Sequence, residues 1–151
     1  MKKYRFGEYA YLDDSLLDLI SVEGGYEFIT DNESIIRKYN FREKKSAYSN
    51  YISYRLKALE NTGIKAFQVS TYCTYKGFKF FVENFFDEKY ILRPLEEAQT
   101  HFKDVERQGY DPVYEVEESK ITDIWEERTP IEGFKFDVEP IYNIKKDGKF
   151  L

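Results

Sequence analysis

Side chains alternate between apolar and polar over residues 67–82, and this alternation is the strongest constraint that the sequence places on the fold. A period of two is the repeat of a β-strand with one buried face. The dipeptide Lys76-Gly77 interrupts the alternation, and a glycine there favours a tight turn between two antiparallel strands. We therefore predict a β-hairpin over about residues 64–86. Its inward residues are Phe67, Val69, Thr71 and Cys73 before the turn, and Phe78, Phe80 and Val82 after it.

Two longer segments, about 46–61 and about 94–108, instead repeat their apolar residues at helical spacing. In the first, tyrosines and aliphatic residues form a wide stripe, and Gly63 follows as a stop signal. Pro94 suits the first turn of the second helix. We expect these to be the two principal helices.

Weaker signals predict several shorter elements. Asp13 or Asp14 can cap a short helix over residues 16–20, and Asp31 or Asn32 can cap another whose Ile35, Ile36 and Tyr39 point inward. The predicted short strands cover residues 26–30, 89–92, 113–117, 133–138 and 141–144.

Together these elements predict an α+β fold. The 151 residues, without repeats or a Pro/Gly-rich linker, indicate one domain over residues 1–151. We expect an antiparallel β-sheet, made of the hairpin 64–86 and C-terminal strands, packed against the two principal helices and short N-terminal helices.

The single cysteine excludes an intramolecular disulfide, and the chain has no run of about 18 apolar residues that could span a membrane. No apolar segment follows the charged start. We therefore expect an intracellular, cytoplasmic protein.

Residues that commonly carry catalysis are few. His101 is the only histidine, and it follows Glu97 by one helical turn, the spacing of an ordinary side-chain pair. Cys73 falls on the apolar face of the predicted hairpin, which favours a buried thiol. One His and one Cys cannot form a zinc site, and no phosphate-binding glycine motif is present. We predict a protein that is not an enzyme and needs no cofactor or metal.

One enzymatic alternative stays open. Glu118 and Lys120, preceded by Asp104 or Asp111, have the order of acidic residues and lysine that Mg²⁺-dependent nucleases use.

The last third of the chain is strongly acidic. Residues 104–139 contain twelve acidic and four basic side chains, a net charge of −8, with aromatic residues among them. An acidic field attracts a basic partner, and large aromatic side chains anchor protein interfaces. This pattern predicts a protein-binding site, with Trp125 and Tyr114 as anchors. Its candidate residues are Tyr110, Tyr114, Glu115, Glu117, Glu118, Asp123, Trp125, Glu126 and Glu127.

A basic segment supports a different hypothesis. Between Arg37 and Lys57 there are seven basic residues and one acidic residue, with tyrosine and phenylalanine among them. Such a mixture is typical of proteins that bind single-stranded nucleic acid. The helical spacing, however, assigns Tyr48, Tyr51 and Tyr54 to a core, so we expect nucleic-acid binding less than protein binding. The candidate residues of this alternative are Arg37, Lys38, Arg42, Lys44 and Lys45.

The leading hypothesis is therefore a small acidic inhibitor that covers a basic, nucleic-acid-handling surface of another protein. Its profile is similar to that of immunity proteins, which neutralise toxin nucleases, and of phage proteins that inhibit defence nucleases, although no motif carries the likeness. The expected partner is a toxin or defence nuclease.

Overall fold

The computed structural model describes residues 4–101 and 113–151. Within them 56% of the residues lie in strands and 12% in helices, and there are 12 strands. The predicted α+β fold with two principal helices is therefore wrong. No helix in the described part of the chain is long and apolar enough to cross a membrane.

By their contacts, the residues group into two compact units, each with its own core. Unit A consists of Gly7–Gln68 and Thr129–Val138, and unit B of Met1–Phe6, Val69–Arg128 and Glu139–Leu151.

Unit A contains the first five strands and one helix. The elements are β1 (Gly7–Leu12), β2 (Ser15–Val22), β3 (Gly25–Thr30), α1 (Glu33–Tyr39), β4 (Arg42–Lys45) and β5 (Ile52–Ala58). The strands pair in the order β1-β2-β3-β5-β4, so β4 lies at the end of this order. One face packs Ala10, Leu17, Leu19 and Phe28 against side chains of the helix.

Unit B contains most of the sixth strand and all later elements in the described part of the chain. They are β6 (Ala66–Tyr75), β7 (Phe78–Phe86), β8 (Lys89–Pro94), α2 (Glu96–His101), β9 (Tyr114–Glu117), β10 (Asp123–Thr129), β11 (Ile141–Lys146) and β12 (Lys149–Phe150), with a 3₁₀ turn at Glu118–Lys120. Strand β6 pairs with β7, β7 with β8, and β8 with β9, while β10 pairs with β6 and β11. The core of unit B includes Cys73, Phe80, Tyr90, Leu92 and Ile124.

The predicted hairpin is confirmed. Strands β6 and β7 pair in the register Tyr75↔Phe78 and Cys73↔Phe80. Lys76 and Gly77 form the turn with φ of +50° and +81°, the backbone of a two-residue hairpin turn that matches the strand twist.

The short helix α1 is confirmed as well, since Asn32 Oδ1 accepts hydrogen bonds from the N–H groups of Ser34 (3.0 Å) and Ile35 (3.2 Å).

The predicted principal helix at 46–61 is wrong. Residues 46–51 connect β4 to β5, and the rest of the segment is mostly strand β5. Tyr54, Leu56 and Ala58 alternate with Ser53, Arg55 and Lys57, so the segment satisfies the strand period as well as the helical one. Pairing with β3 on one side and β4 on the other decides in favour of the strand.

The short helix predicted at 16–20 is also a strand. In β2, Leu17 and Leu19 are buried whereas Asp18 between them is exposed, because β1 and β3 flank the strand and one face covers the core. Asp13 does not cap a helix; it takes a φ of +53° in the turn between β1 and β2.

The second predicted principal helix, 94–108, is helical at Glu96–His101 in the described part of the chain. Helix α2 covers Glu96–His101, and the rest of the predicted helix 94–108 lies outside the described residues from residue 102 on. The strand predicted at 133–138 is wrong, because these residues form no strand in the structure. An isolated parallel bridge joins Lys135 to Lys65. The strands predicted at 26–30, 89–92, 113–117 and 141–144 are confirmed as β3, β8, β9 and β11.

Candidate functional site

The face of the unit B sheet opposite its core carries a row of aromatic rings. In the β6–β7 pair, Cys73 and Phe80 face each other and are buried. Successive residues of a strand point to opposite faces, so the next pair, Tyr72 and Phe81, lies on the other side. Trp125 of β10 joins them through its ring contact with Tyr72. We call this side the outer face.

Four rings contact one another in sequence along the outer face. The ring of Phe6 meets Phe81 edge-on at 5.4 Å, Phe81 meets Tyr72 at 6.0 Å, and Tyr72 lies 6.4 Å from Trp125. These separations are normal for interacting aromatic pairs. Phe6 is 64% exposed, while the other three rings are half-buried. We call these four residues the aromatic row.

A lysine and a carboxylate fix one end of the row. Lys79 Nζ lies 4.2 Å from the centre of the Tyr72 ring and 2.6 Å from Glu127 Oε2. Trp125 donates a hydrogen bond from Nε1 to the same oxygen at 2.9 Å. Burial acts to raise the pKa of Glu127, but the hydrogen bonds from Lys79 and Trp125 outweigh it, and the pKa lies below its ordinary value. These contacts orient the indole, so less side-chain entropy would be lost when a partner covers it.

Exposed acidic residues border the same face. In β9, Val116 is buried in the core, so Glu115 and Glu117 point outward beside Ile91 and Lys89 of β8. The β7–β8 turn adds exposed Asp87 and Glu88 next to Lys89. We define the acidic edge as Asp87, Glu88, Glu115 and Glu117.

Glu126 precedes Glu127 in the sequence but does not belong to the outer face. It is buried, and Arg5 donates two hydrogen bonds to its carboxylate, at 2.8 and 2.6 Å. Arg128 donates two more to Oε1, at 3.3 and 3.1 Å. Burial acts to raise the pKa of Glu126, yet the two guanidiniums hold it below its ordinary value. Glu126 thus forms buried ion pairs with Arg5 and Arg128, and its role is structural.

The other predicted residues of the protein-binding site are separated by the fold. Tyr114 packs on the core side, with its ring 5.7 Å from Phe80 and 6.4 Å from Tyr75. Asp123 accepts hydrogen bonds from the Thr122 hydroxyl and from the N–H of Asp147. Glu118 begins the 3₁₀ turn after β9. Tyr110 lies outside the described residues. Of the predicted set, Trp125 and Glu127 on β10 and Glu115 and Glu117 on β9 share the outer face, with β6, β7 and β8 between the two pairs.

Phe6, Tyr72 and Phe81 were missed by the sequence analysis. The signal was present, because the alternation that put Cys73 and Phe80 inside necessarily places their neighbours Tyr72 and Phe81 on the opposite face. The acidic composition of residues 104–139 instead favoured a binding site in that later segment.

The residues of the basic alternative lie in unit A. Arg37 and Lys38 belong to α1, where Arg37 pairs with Glu33 at 4.0 Å. Arg42, Lys44 and Lys45 belong to β4 and are exposed. The core positions predicted for Tyr48 and Tyr51 are wrong, since the two side chains are 99% and 66% exposed.

The sequence offers three candidates for catalysis: Cys73, His101, and the pair Glu118 and Lys120. Cys73 is fully buried, and burial raises the pKa of its thiol to about 12. The His101 ring stacks on Phe78 at 4.5 Å. Residues 4–101 and 113–151 contain no group of three His, Cys, Asp or Glu side chains suited to a metal ion. For the nuclease alternative, Glu118 and Lys120 share the 3₁₀ turn, and Asp104 and Asp111 fall outside the described residues.

Comparison with known proteins adds no relative: the chain matches no protein-family model, no curated protein and no solved structure.

Proposed function

We propose that this protein binds another protein through the outer face of unit B and occludes a basic surface of that partner. The observation that carries the proposal is the aromatic row, four contacting rings on the sheet face opposite the core, bordered by exposed carboxylates. Interface hot spots are enriched in tryptophan and tyrosine, because such rings remove much apolar area from water.

The charges of the outer face support a basic partner. Lys79 and Arg93 are engaged with Glu127 and Glu83, at 2.6 and 2.8 Å. Glu115 and Glu117 are exposed and appear in none of the ion pairs among residues 4–101 and 113–151. Carboxylates at an interface rim raise the association rate with a cationic surface and discourage anionic partners. Nucleic-acid-handling proteins present such cationic surfaces, which makes an inhibitor the function that fits this face.

Charge reversal on the acidic edge tests the proposal. The double variant Glu115→Lys/Glu117→Lys changes the net charge from −5 to −1, and we expect it to lose the partner that the wild-type protein retains from source-cell lysate. The matched control is Asp18→Lys/Glu23→Lys, which makes the same change of net charge at exposed positions of unit A. The control should retain the partner.

The captured partner should also be basic and should dissociate as salt rises, since screening weakens interactions between exposed charges. Equal retention by both double variants, or loss in both, would show that the acidic edge does not direct binding. A captured partner with an acidic surface would contradict the proposal as well.

A further inference from the structure

The hairpin formed by β4, residues 46–51 and β5 lies at the end of the strand order of unit A. Within the described residues, β4 pairs only with β5, through Arg42↔Arg55, Lys44↔Ser53 and Lys45↔Ile52. All four residues of β4 are exposed. We call residues 42–58 the basic hairpin.

Basic side chains share one face of the basic hairpin. Arg42 and Lys44 alternate with Glu43 and therefore project to the same side as their partners Arg55 and Ser53, and Lys57 follows Arg55 by two positions. A buried carboxylate, Glu27 of β3, receives Arg42 at 2.6 Å and Arg55 at 3.5 Å. This face therefore carries four cations, and two of them, Arg42 and Arg55, are paired with the buried Glu27.

The lysines of the hairpin have no comparable partner. Lys44, Lys45 and Lys57 appear in none of the ion pairs among residues 4–101 and 113–151, and all three are exposed. Lysines on an edge strand also protect it against pairing with another chain, which would account for β4 by itself. That role requires no aromatic residues and no cation on β5.

Two tyrosines occupy the connection between the strands. Tyr48 is 99% exposed and Tyr51 is 66% exposed, so each offers its ring to solvent. Each follows a serine turn, in which Ser46 Oγ accepts the Tyr48 N–H and Ser49 Oγ accepts the Tyr51 N–H, both at 3.2 Å. Large exposed rings beside lysines match the way proteins hold single strands, with bases stacked on aromatic side chains and phosphates on cations.

A cavity of about 410 Å³ adjoins the same face. Arg42 and Lys57 contribute to its wall beside the Gly24-Gly25 turn, and Glu23 and Glu27 line it too. Arg42 is already paired with Glu27, so Lys57 is the cation of this wall that a phosphate would contact, and the exposed Glu23 limits how close the phosphate lies to the Gly24-Gly25 turn.

We propose that the basic hairpin is a binding site for single-stranded nucleic acid, in which Tyr48 and Tyr51 stack on bases and Lys44 and Lys57 contact phosphates. A duplex keeps its bases stacked inside, so the tyrosines select the single-stranded form. This site lies in unit A and does not depend on the proposed function of unit B.

Fluorescence anisotropy with labelled oligothymidylate and oligouridylate tests the site on the full chain. We expect binding at low salt. With phosphate contacts from Lys44 and Lys57 and roughly −0.7 per contact, the plot of log affinity against log salt should have a slope of about −1.4. Tyr48→Ala and Tyr51→Ala should each weaken binding roughly fivefold or more, which corresponds to about 1 kcal/mol per stacked base.

Matched variants separate stacking from charge. Phe86→Ala removes a ring of similar exposure, 68%, from unit B, and Lys146→Ala removes an exposed lysine of β11. Both variants should bind as the wild type does. The double variant Lys44→Ala/Lys57→Ala should reduce the magnitude of the slope of log affinity against log salt by about 1.4, because it loses two phosphate contacts that each contribute roughly 0.7.

Three results would overturn the site. They are no binding at low salt, full affinity in both tyrosine variants, and equal affinity for duplex DNA or polyglutamate, which would reduce the hairpin to a general polyanion surface.

Discussion

Glu126 and Glu127 are neighbours in sequence, yet they have different roles because adjacent residues of a strand project to opposite faces. Glu126 points inward to Arg5 and Arg128, whereas Glu127 lies on the outer face with Lys79 and Trp125. By composition alone both are surface carboxylates, since composition gives the charge of a residue without the direction of its side chain. The strand assignment supplies the missing information.

We predict that Glu126→Gln destabilises the fold by roughly 3 kcal/mol near neutral pH, because two guanidiniums then lose the carboxylate that compensates them. The pKa of Glu126 is lowered from an ordinary value near 4.5. Its stabilisation is therefore present above that value and is lost as pH falls through the lowered pKa. Urea unfolding at about pH 7 and about pH 3 should show that the difference in free energy of unfolding between Glu126→Gln and the wild type is smaller at the lower pH.

Glu117→Gln is the control for this experiment, since an exposed carboxylate should change stability by no more than about 0.5 kcal/mol. A gap of the same size at both pH values would show that Glu126 acts by packing and not through its charge.

At the scale of elements, the sequence predicted correctly where two independent signals agreed. Strict alternation and the Lys76-Gly77 turn both indicated the β6–β7 hairpin, and the Asn32 cap coincided with an apolar stripe at α1. The sequence failed at 46–61 and at 16–20, where short amphipathic segments fit either period and only pairing with neighbouring strands decides. The alternation in β6 and β7 places Tyr72 and Phe81 on one face, but the contact of this pair with Trp125 arises only because β10 pairs with β6.

The turn between β6 and β7 offers an element-scale prediction. A Cβ added at Gly77 meets no atom within 4 Å, so Gly77→Ala costs only the strain of its positive φ of 81°. We expect a loss of roughly 1 kcal/mol, since L residues are disfavoured in that conformation. Lys76→Ala is the control, because residue 76 is already an L residue at positive φ. Equal denaturant midpoints for the two variants would contradict this turn geometry.

At the scale of the whole molecule, the distribution of charge along the sequence differs from its distribution over the folded surface. The twelve acidic residues of 104–139 suggested one acidic surface, but the fold buries Glu126, pairs Glu127 with Lys79 and assigns Glu132 and Asp137 to unit A. The acidic edge instead gains Asp87 and Glu88 from an earlier turn. The proposed binding function therefore rests on the arrangement of the outer face and not on the total charge.

The most direct measurement of that function is calorimetric titration of the purified partner with the Trp125→Ala variant. Trp125 is the tryptophan of the aromatic row, and truncating a hot-spot ring costs about 2 kcal/mol or more, close to a 30-fold rise in Kd. Thermal unfolding of the variant checks that it remains folded. A Kd at least 30-fold above wild type agrees with the account, whereas an unchanged Kd in a folded Trp125→Ala protein would contradict it.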